Sequence, residues 1–325
     1  MFRTLRAVVT TALALALGAT LTVGLAHVAT AEEDGTAARP AAAQTTAERT
    51  TTVRYGPYTI PAAEDHHSGG DAGGTHNQFA FNIEKPCSSC YITGFEPNLV
   101  YADGSHANVN TGPMLHHAVI FNSGDDDVVC RGPQRIFSTG NERVASSFPA
   151  GYGYRVGFTD RWSMVYDLMN HATEEKTVYL TFTFTHRSVL SGLEELTPIW
   201  MDAGGCLNSA WDAPEGVSEK SHDWRSTISG ELVHMRGHVH HAGRWVRTEN
   251  LGSGRLLCHV TAEEGGSPEF IDPMGHTEIS DMPPCSGSLG TINRGDTLRI
   301  TARYEINGHS HEGVMGIMTG WVDER

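Results

Sequence analysis

Val178-Tyr179-Leu180-Thr181-Phe182-Thr183-Phe184 places Val178, Leu180, Phe182 and Phe184 at every second position, with threonines prominent between them. Side chains alternate faces along an extended chain, so this spacing predicts a strand with one buried face. Leu298, Ile300, Ala302, Tyr304 and Ile306 alternate in the same way against Arg299, Thr301, Arg303 and Glu305. The 36 Gly and 14 Pro supply turns between such runs, and no segment sustains a 3.6-residue period. The expected class is all-β, with antiparallel strands paired into two β-sandwiches in tandem.

Outward from these strands the chain divides by composition. Arg3 and Arg6 precede an apolar run from Ala7 to Ala26, and Ala29-Thr30-Ala31 supplies small residues suited to cleavage. This predicts a signal peptide over 1–31 and a secreted protein with no stable membrane anchor after cleavage. Residues 32–52 are Ala, Thr and Glu with few large apolar side chains, which predicts a flexible leader. An N-terminal sandwich is expected over 53–192 and a C-terminal one over 226–325. The stretch 193–225, with Pro198, Gly204-Gly205 and Pro214 and little alternation, reads as a linker.

The formal charge of -15 becomes -17 once Arg3 and Arg6 leave with the signal. A surface this acidic repels phosphate backbones, so nucleic acid is not an expected partner. The 18 His against 23 Lys plus Arg is a high ratio, and imidazole is the commonest metal ligand. Six cysteines (Cys87, Cys90, Cys130, Cys206, Cys258 and Cys285) in an exported chain read as disulfides. Spacing does not choose among their fifteen pairings. Cys87-Ser-Ser-Cys90 has the form of a redox motif or half a zinc site, but no second CxxC and no thioredoxin-like pattern accompanies it.

The histidines fall in a few groups. In Leu232-Val233-His234-Met235-Arg236-Gly237-His238-Val239-His240, parity sends Val233, Met235 and Val239 one way and His234, Arg236, His238 and His240 the other. Two histidines at i and i+2 on a strand project side by side and can share an ion, although a solvent-facing polar stripe would look alike. Downstream, His309-Ser310-His311-Glu312-Gly313-Val314-Met315 ends on a thioether, a soft ligand that selects copper able to reach Cu(I). His311 either supports or replaces a ligand. His116-His117 in Pro113-Met114-Leu115-His116-His117 could share one ion only where the pleat is broken. His171, at the end of the run that starts at Met164, is a candidate third ligand. His66, His67 and His76 lie in a Gly-rich acidic segment that could also bind metal. No G-x-S-x-G elbow, P-loop or strand-linked G-x-G-x-x-G is present.

The order HH, H, HxH, M resembles the copper type II, ascorbate-dependent monooxygenases, the peptidylglycine α-hydroxylating and dopamine β-hydroxylating enzymes among them. The resemblance runs from about residue 80 onward. Met114-Leu115-His116-His117 is similar to the first-copper pair, and Phe148-Pro149-Ala150-Gly151-Tyr152-Gly153-Tyr154-Arg155-Val156-Gly157 to the approach to the third histidine, here His171. Arg236-Gly237-His238-Val239-His240 resembles the second-copper strand, and Gly313-Val314-Met315-Gly316 sits where the family has its methionine. The surroundings of Cys258 and of Met315 also look like the stress-up-regulated nodulin group of plants.

That resemblance implies jelly-roll-like domains carrying one copper each across a shared cleft, two ions per chain. His238, His240 and Met315 would serve O₂ activation and C–H hydroxylation. His116, His117 and His171 would hold an electron-storing copper, with ascorbate or a similar reductant resupplying both. It pairs Cys90 with Cys130, Cys258 with Cys285 and Cys87 with Cys206. Arg236 matches the arginine that anchors an anionic substrate group, whereas the partner asparagine and tyrosine are here Ile317 and Thr319. The expected partners are O₂ and a small-molecule or peptide substrate of unassigned identity, met by a monomer. Two rivals stand beside this: a secreted copper-binding protein without catalysis, and a structural or carbohydrate-binding sandwich with incidental histidines.

Overall fold

The computed structural model describes residues 47–63, 73–206 and 208–324. The signal segment, most of the leader, and His66 and His67 lie outside the described residues. The first part of the chain runs β1 (Arg49–Ile60), β2 (Gly73–Ile83), β3 (Cys90–Val100), β4 (Pro113–Asp126), β5 (Pro133–Gly140), β6 (Ser146–Ser147) and β7 (Tyr152–Val156). It continues with β8 (Trp162–Asn170), β9 (Lys176–Ser188), β10 (Glu194–Asp202), β11 (Trp211–Ala213), β12 (Gly216–Arg225), β13 (Gly230–Val239), β14 (Gly243–Asn250) and β15 (Arg255–Thr261). The remainder is β16 (Glu263–Glu264), β17 (Ile279–Asp281), β18 (Cys285–Ile292), β19 (Thr297–Ile306), β20 (His311–Val314) and β21 (Gly316–Glu324). Among the described residues there is no α-helix, and the class is all-β.

The opening heptapeptide behaves as its spacing requires. In β9 the residues Val178, Leu180, Phe182 and Phe184 are buried and their alternates are not. They join a first core with Leu115 and Ile120 of β4 and Trp162 and Met164 of β8. Burying each such side chain contributes about 1.5–3 kcal/mol. Leu298, Ile300, Ala302, Tyr304 and Ile306 of β19 likewise anchor a second core, with Met235 and Val239 of β13. One sheet, ordered β1-β9-β3-β7-β10-β21-β13-β18, contributes to both cores. The sheet β2-β8-β4-β5 contributes to the first core, and β12-β19-β14-β15 to the second.

Three expectations need correction. Residues 193–225 are not a linker but fold as β10, β11 and β12. In β10, Leu196 enters the first core while Ile199 and Met201 enter the second. Burial on both faces erases the alternation that would have marked it. Strand β12 is almost wholly exposed at a sheet edge, which explains its polar sequence. Strand β1 opens at Arg49, inside the segment expected to be leader. Its β-branched Thr50, Thr51 and Thr52 pair with Thr185, Phe184 and Thr183 of β9.

The third correction concerns the disulfides. Cys258–Cys285 is present as expected, but the others are Cys87–Cys90 and Cys130–Cys206, not Cys90–Cys130 and Cys87–Cys206. Cys130 lies beyond β4 in a turn whose backbone N–H groups at Val129 and Cys130 donate to Asp127. That turn meets the loop after β10, where Cys206 waits. Cys90 instead opens β3, opposite Ser188 and Val156. The Cys87-Ser-Ser-Cys90 motif is therefore a local staple.

Candidate metal centre

Strand β4 carries an irregularity where the adjacent histidines need one. Leu115 pairs with Leu168 of β8 and the next pair is His117 with Asp167, so His116 is an extra residue, a β-bulge. The bulge breaks the alternation, and the two rings lie on one side with centroids 4.0 Å apart. Strand β13 has a bulge of its own between Leu232 and His234. Val233 therefore joins the first core rather than the second, contrary to simple parity. Beyond the bulge, Arg236 and His238 reach residues of the first half, and His240 follows at the strand's end.

Four imidazoles thus converge from the two halves of the chain. His117 Nε2 and His240 Nε2 stand 2.8 Å apart. The His240 ring lies 4.8 Å from that of His116 and 4.9 Å from that of His117. His238 is 5.1 Å from His117 and 5.3 Å from His240. One ligand atom from each of His116, His117 and His240 falls within 4.8 Å of the others. With N–metal bonds of about 2 Å, two rings on one ion have centroids roughly 5 Å apart, the spacing found here.

Three of the four histidines have a ring nitrogen held by the protein. His117 Nδ1 lies 3.6 Å from Asp167 Oδ2, and His238 Nδ1 lies 3.2 Å from Glu142 Oε1. The Gly313 backbone hydrogen-bonds the His240 imidazole. Asp167 accepts in turn from the Asn77 backbone N–H. Carboxylates and carbonyls in this position fix the tautomer and aim the other nitrogen at a metal. Gly140 permits the approach of His238: a Cβ there would stand 2.4 Å from His238 Cε1.

The electrostatics favour neutral ligands. Burial pushes the His116 and His240 imidazoles well below their ordinary range, and the neighbouring histidines push them further. Burial also lowers His117, against the opposing pull of Asp167. Neutral imidazole presents the lone pair that a metal needs. His238 Nε2 and His116 Nδ1 are buried with no hydrogen-bond partner among the described residues. Such orphaned acceptors cost about 1–3 kcal/mol unless something occupies them, and the donor set fits copper.

The predicted residues divide accordingly. His116, His117, His238 and His240 come together, so the two expected donor sets adjoin in one centre. His171 lies close enough to His116 to act on its charge, and its Nε2 is buried with no partner among the described residues, but it is not one of the three histidines whose ligand atoms cluster. Asn170 ends β8 by binding Pro61 and Glu174 carbonyls with its side chain, and His171 N–H donates to Gly112 O at 2.8 Å. Asp272 and His276 also lie near enough to act on the charge of His171. Met315, half-buried between β20 and β21, borders a cavity shared with His117 and His238. His76, on β2, is exposed and lies close enough to His116 and Asp167 to act on their charge.

Arg236 proves to be differently employed. Its Nη1 and Nη2 donate to Ser138 O and Val144 O, both at 2.8 Å, and its guanidinium lies 4.8 Å from the centre of the Phe95 ring. Burial pushes its pKa down to about 10, with Glu142 opposing. Both terminal nitrogens are thus engaged by backbone carbonyls, while its Nε has no hydrogen-bond partner among the described residues. The cavity it borders, about 390 Å³, is walled by Trp200, Tyr166, Val165 and Ile317 as well.

Sequence reading missed Asp167, Glu142, Tyr304 and Gly313. Asp167 was visible as one acid inside the apolar run Met164–His171. Tyr304 stood as a core residue, yet a buried hydroxyl needs partners. It accepts from His240 N–H at 2.8 Å and donates to Met315 O, which ties those two backbones together.

No known family model matches the chain. It is similar to a protein named a probable copper-dependent oxygenase M1, from a Phoma species, at 27% identity over 293 residues, 85% of this chain and 72% of that protein. It is also similar to one named a probable copper-dependent oxygenase clz3, from Cochliobolus lunatus, at 28% identity over 246 residues, 69% of this chain and 77% of that protein. A solved structure of PNGF-II is 10% identical with a TM-score of 0.33, over 84% of this chain and 66% of that one, too low to bear on the fold.

Proposed function

We propose that this protein is an exported copper-dependent monooxygenase that hydroxylates a C–H bond of an uncharged substrate, using O₂ and a small reductant such as ascorbate. One observation carries it: Nε2 of His117 faces Nε2 of His240 across 2.8 Å, with His116 beside them. Bound copper would supply the one-electron chemistry that O₂ activation requires. Two relatives named probable copper-dependent oxygenases support the metal and the reaction class.

The chain's own residues have separable tasks. His116, His117 and His240 hold one ion. His238 Nε2 and the Met315 thioether, at the adjoining cavity, offer donors to a second, which makes the count two per chain. Asp167 and Glu142 keep His117 and His238 in the tautomer that leaves Nε2 free. Tyr304 fixes the backbone of Met315 against that of His240. The cavity beside them seats the substrate against Trp200 and Ile317. With Arg236 committed to two carbonyls and Glu142 and Asp167 in the wall, this cavity disfavours an anionic group.

Export rests on the N-terminal signal pattern, and three disulfides fit an oxidising compartment. Metal analysis of protein purified from an exported fraction, followed by ascorbate-dependent O₂ uptake, tests the proposal. Bound copper with O₂ uptake is expected; copper without uptake would leave only a binding protein, and no copper would refute both.

A further inference from the structure

A second histidine cluster stands in the cleft that reaches the inner centre. His241 follows His240 at the end of β13, and His309 and His311 come from the turn before β20 and its first residue. The His241 and His311 rings are 5.5 Å apart with 22° between their planes, and His309 and His311 are also 5.5 Å apart. His241 Nδ1 lies 3.6 Å from Glu264 Oε2. Glu264 is itself fixed by the Ala242 N–H at 2.8 Å and the Thr277 hydroxyl at 3.4 Å. The cleft, about 530 Å³, is lined by these three histidines and by His116, His238 and His240.

These separations exceed van der Waals stacking, which for flat rings is closer to 4 Å. The two neighbouring pairs, His241 with His311 and His309 with His311, come close to the roughly 5 Å between centroids of imidazoles sharing one ion at N–metal bonds of about 2 Å. His311 opens β20, and His309 stands two residues before it in the bend after β19. His241, His309 and Glu264 all lie near enough to act on the charge of His311. Glu264 gives His241 the carboxylate support that Asp167 gives His117. His241 is 45% exposed, so solvent reaches the group, and a chain of net charge -15 draws cations to it.

We propose that His241, His309 and His311, supported by Glu264, form an outer metal site for a borderline divalent ion such as Cu(II). The site is separate from the inner centre and holds its ion whether or not that centre is filled.

The test is a Cu(II) titration of metal-free full-length protein, with equivalents counted by metal analysis after desalting and by electron paramagnetic resonance. The His309→Asn/His311→Asn variant should bind one equivalent fewer than the native chain and lose one nitrogen-coordinated signal, with the thermal melting point of the metal-free protein unchanged. His311→Asn alone should weaken that equivalent at least tenfold. If the inner centre held no copper, the native chain would still bind the outer equivalent and the double variant would lose it, so the two proposals fail separately. Equal stoichiometry in the native and double-variant proteins would overturn the outer site.

Discussion

His117 Nε2 and His240 Nε2 approach to 2.8 Å although 123 residues separate them in sequence. One belongs to β4 and the first half, the other to the end of β13 and the second. A metal bound between them is a cross-link as well as a cofactor. Removing copper with a chelator should lower the melting temperature, because ligand bound only to the folded state stabilises by about 2.7 kcal/mol at a hundredfold excess over its dissociation constant. His117→Ala should abolish most of that difference in a thermal melt with and without copper.

The carboxylates behind the ligands should matter almost as much. Asp167→Asn and Glu142→Gln keep shape but withdraw the charged acceptors at 3.6 Å from His117 and 3.2 Å from His238. Each should weaken copper binding by about 10–100-fold, as measured by competition with a calibrated chelator. Unchanged affinity in both would mean that these pairs only pack.

Met315→Ile separates catalysis from storage. A thioether at the cavity edge favours the reduced ion, so the variant should lose turnover while retaining Cu(II) on the histidines. Oxygen uptake and Cu(II) content, measured on the same sample, give the answer.

His234 sets a pH dependence of stability. It is fully buried between the Ser146 and Ser286 hydroxyls, and burial, aided by Arg236, pushes its pKa down to about 3. The unfolded chain takes up a proton near the ordinary value of 6.5 that the folded one refuses. This group's contribution is therefore present above pH 6.5 and lost as pH falls toward 3, at up to about 1.4 kcal/mol per pH unit. Denaturation of the metal-free protein at stepped pH should show a flatter acid limb for His234→Gln than for the native chain.

Much of this was legible in the sequence. The alternation in β9 and β19 announced the class, and His116-His117 and His238-Val239-His240 announced a metal. What sequence could not carry was register. The bulge at His116 that aims two adjacent imidazoles together depends on where β4 pairs with β8, and parity along β13 failed at Val233 for the same reason. Strand β10 was unreadable because both its faces are buried. His171 was singled out by its place in the order of histidines; the hydrogen bonds of Asn170 and of the His171 N–H fix its backbone, and its ring lies close enough to His116 to act on its charge. Arg236 stood in the sequence as a substrate anchor only by resemblance, and its terminal nitrogens donate to backbone carbonyls of β5 and the loop after it.

The central claim is that ligands from both halves of the chain hold one ion. Copper content and the copper resonance spectrum, recorded for the native protein and for His117→Ala and His240→Ala separately, test it most directly. The two variants should lose the same signal, and with it ascorbate-dependent O₂ uptake. Loss of two different signals, each variant keeping the one that the other lacks, would show two separate sites and contradict the account.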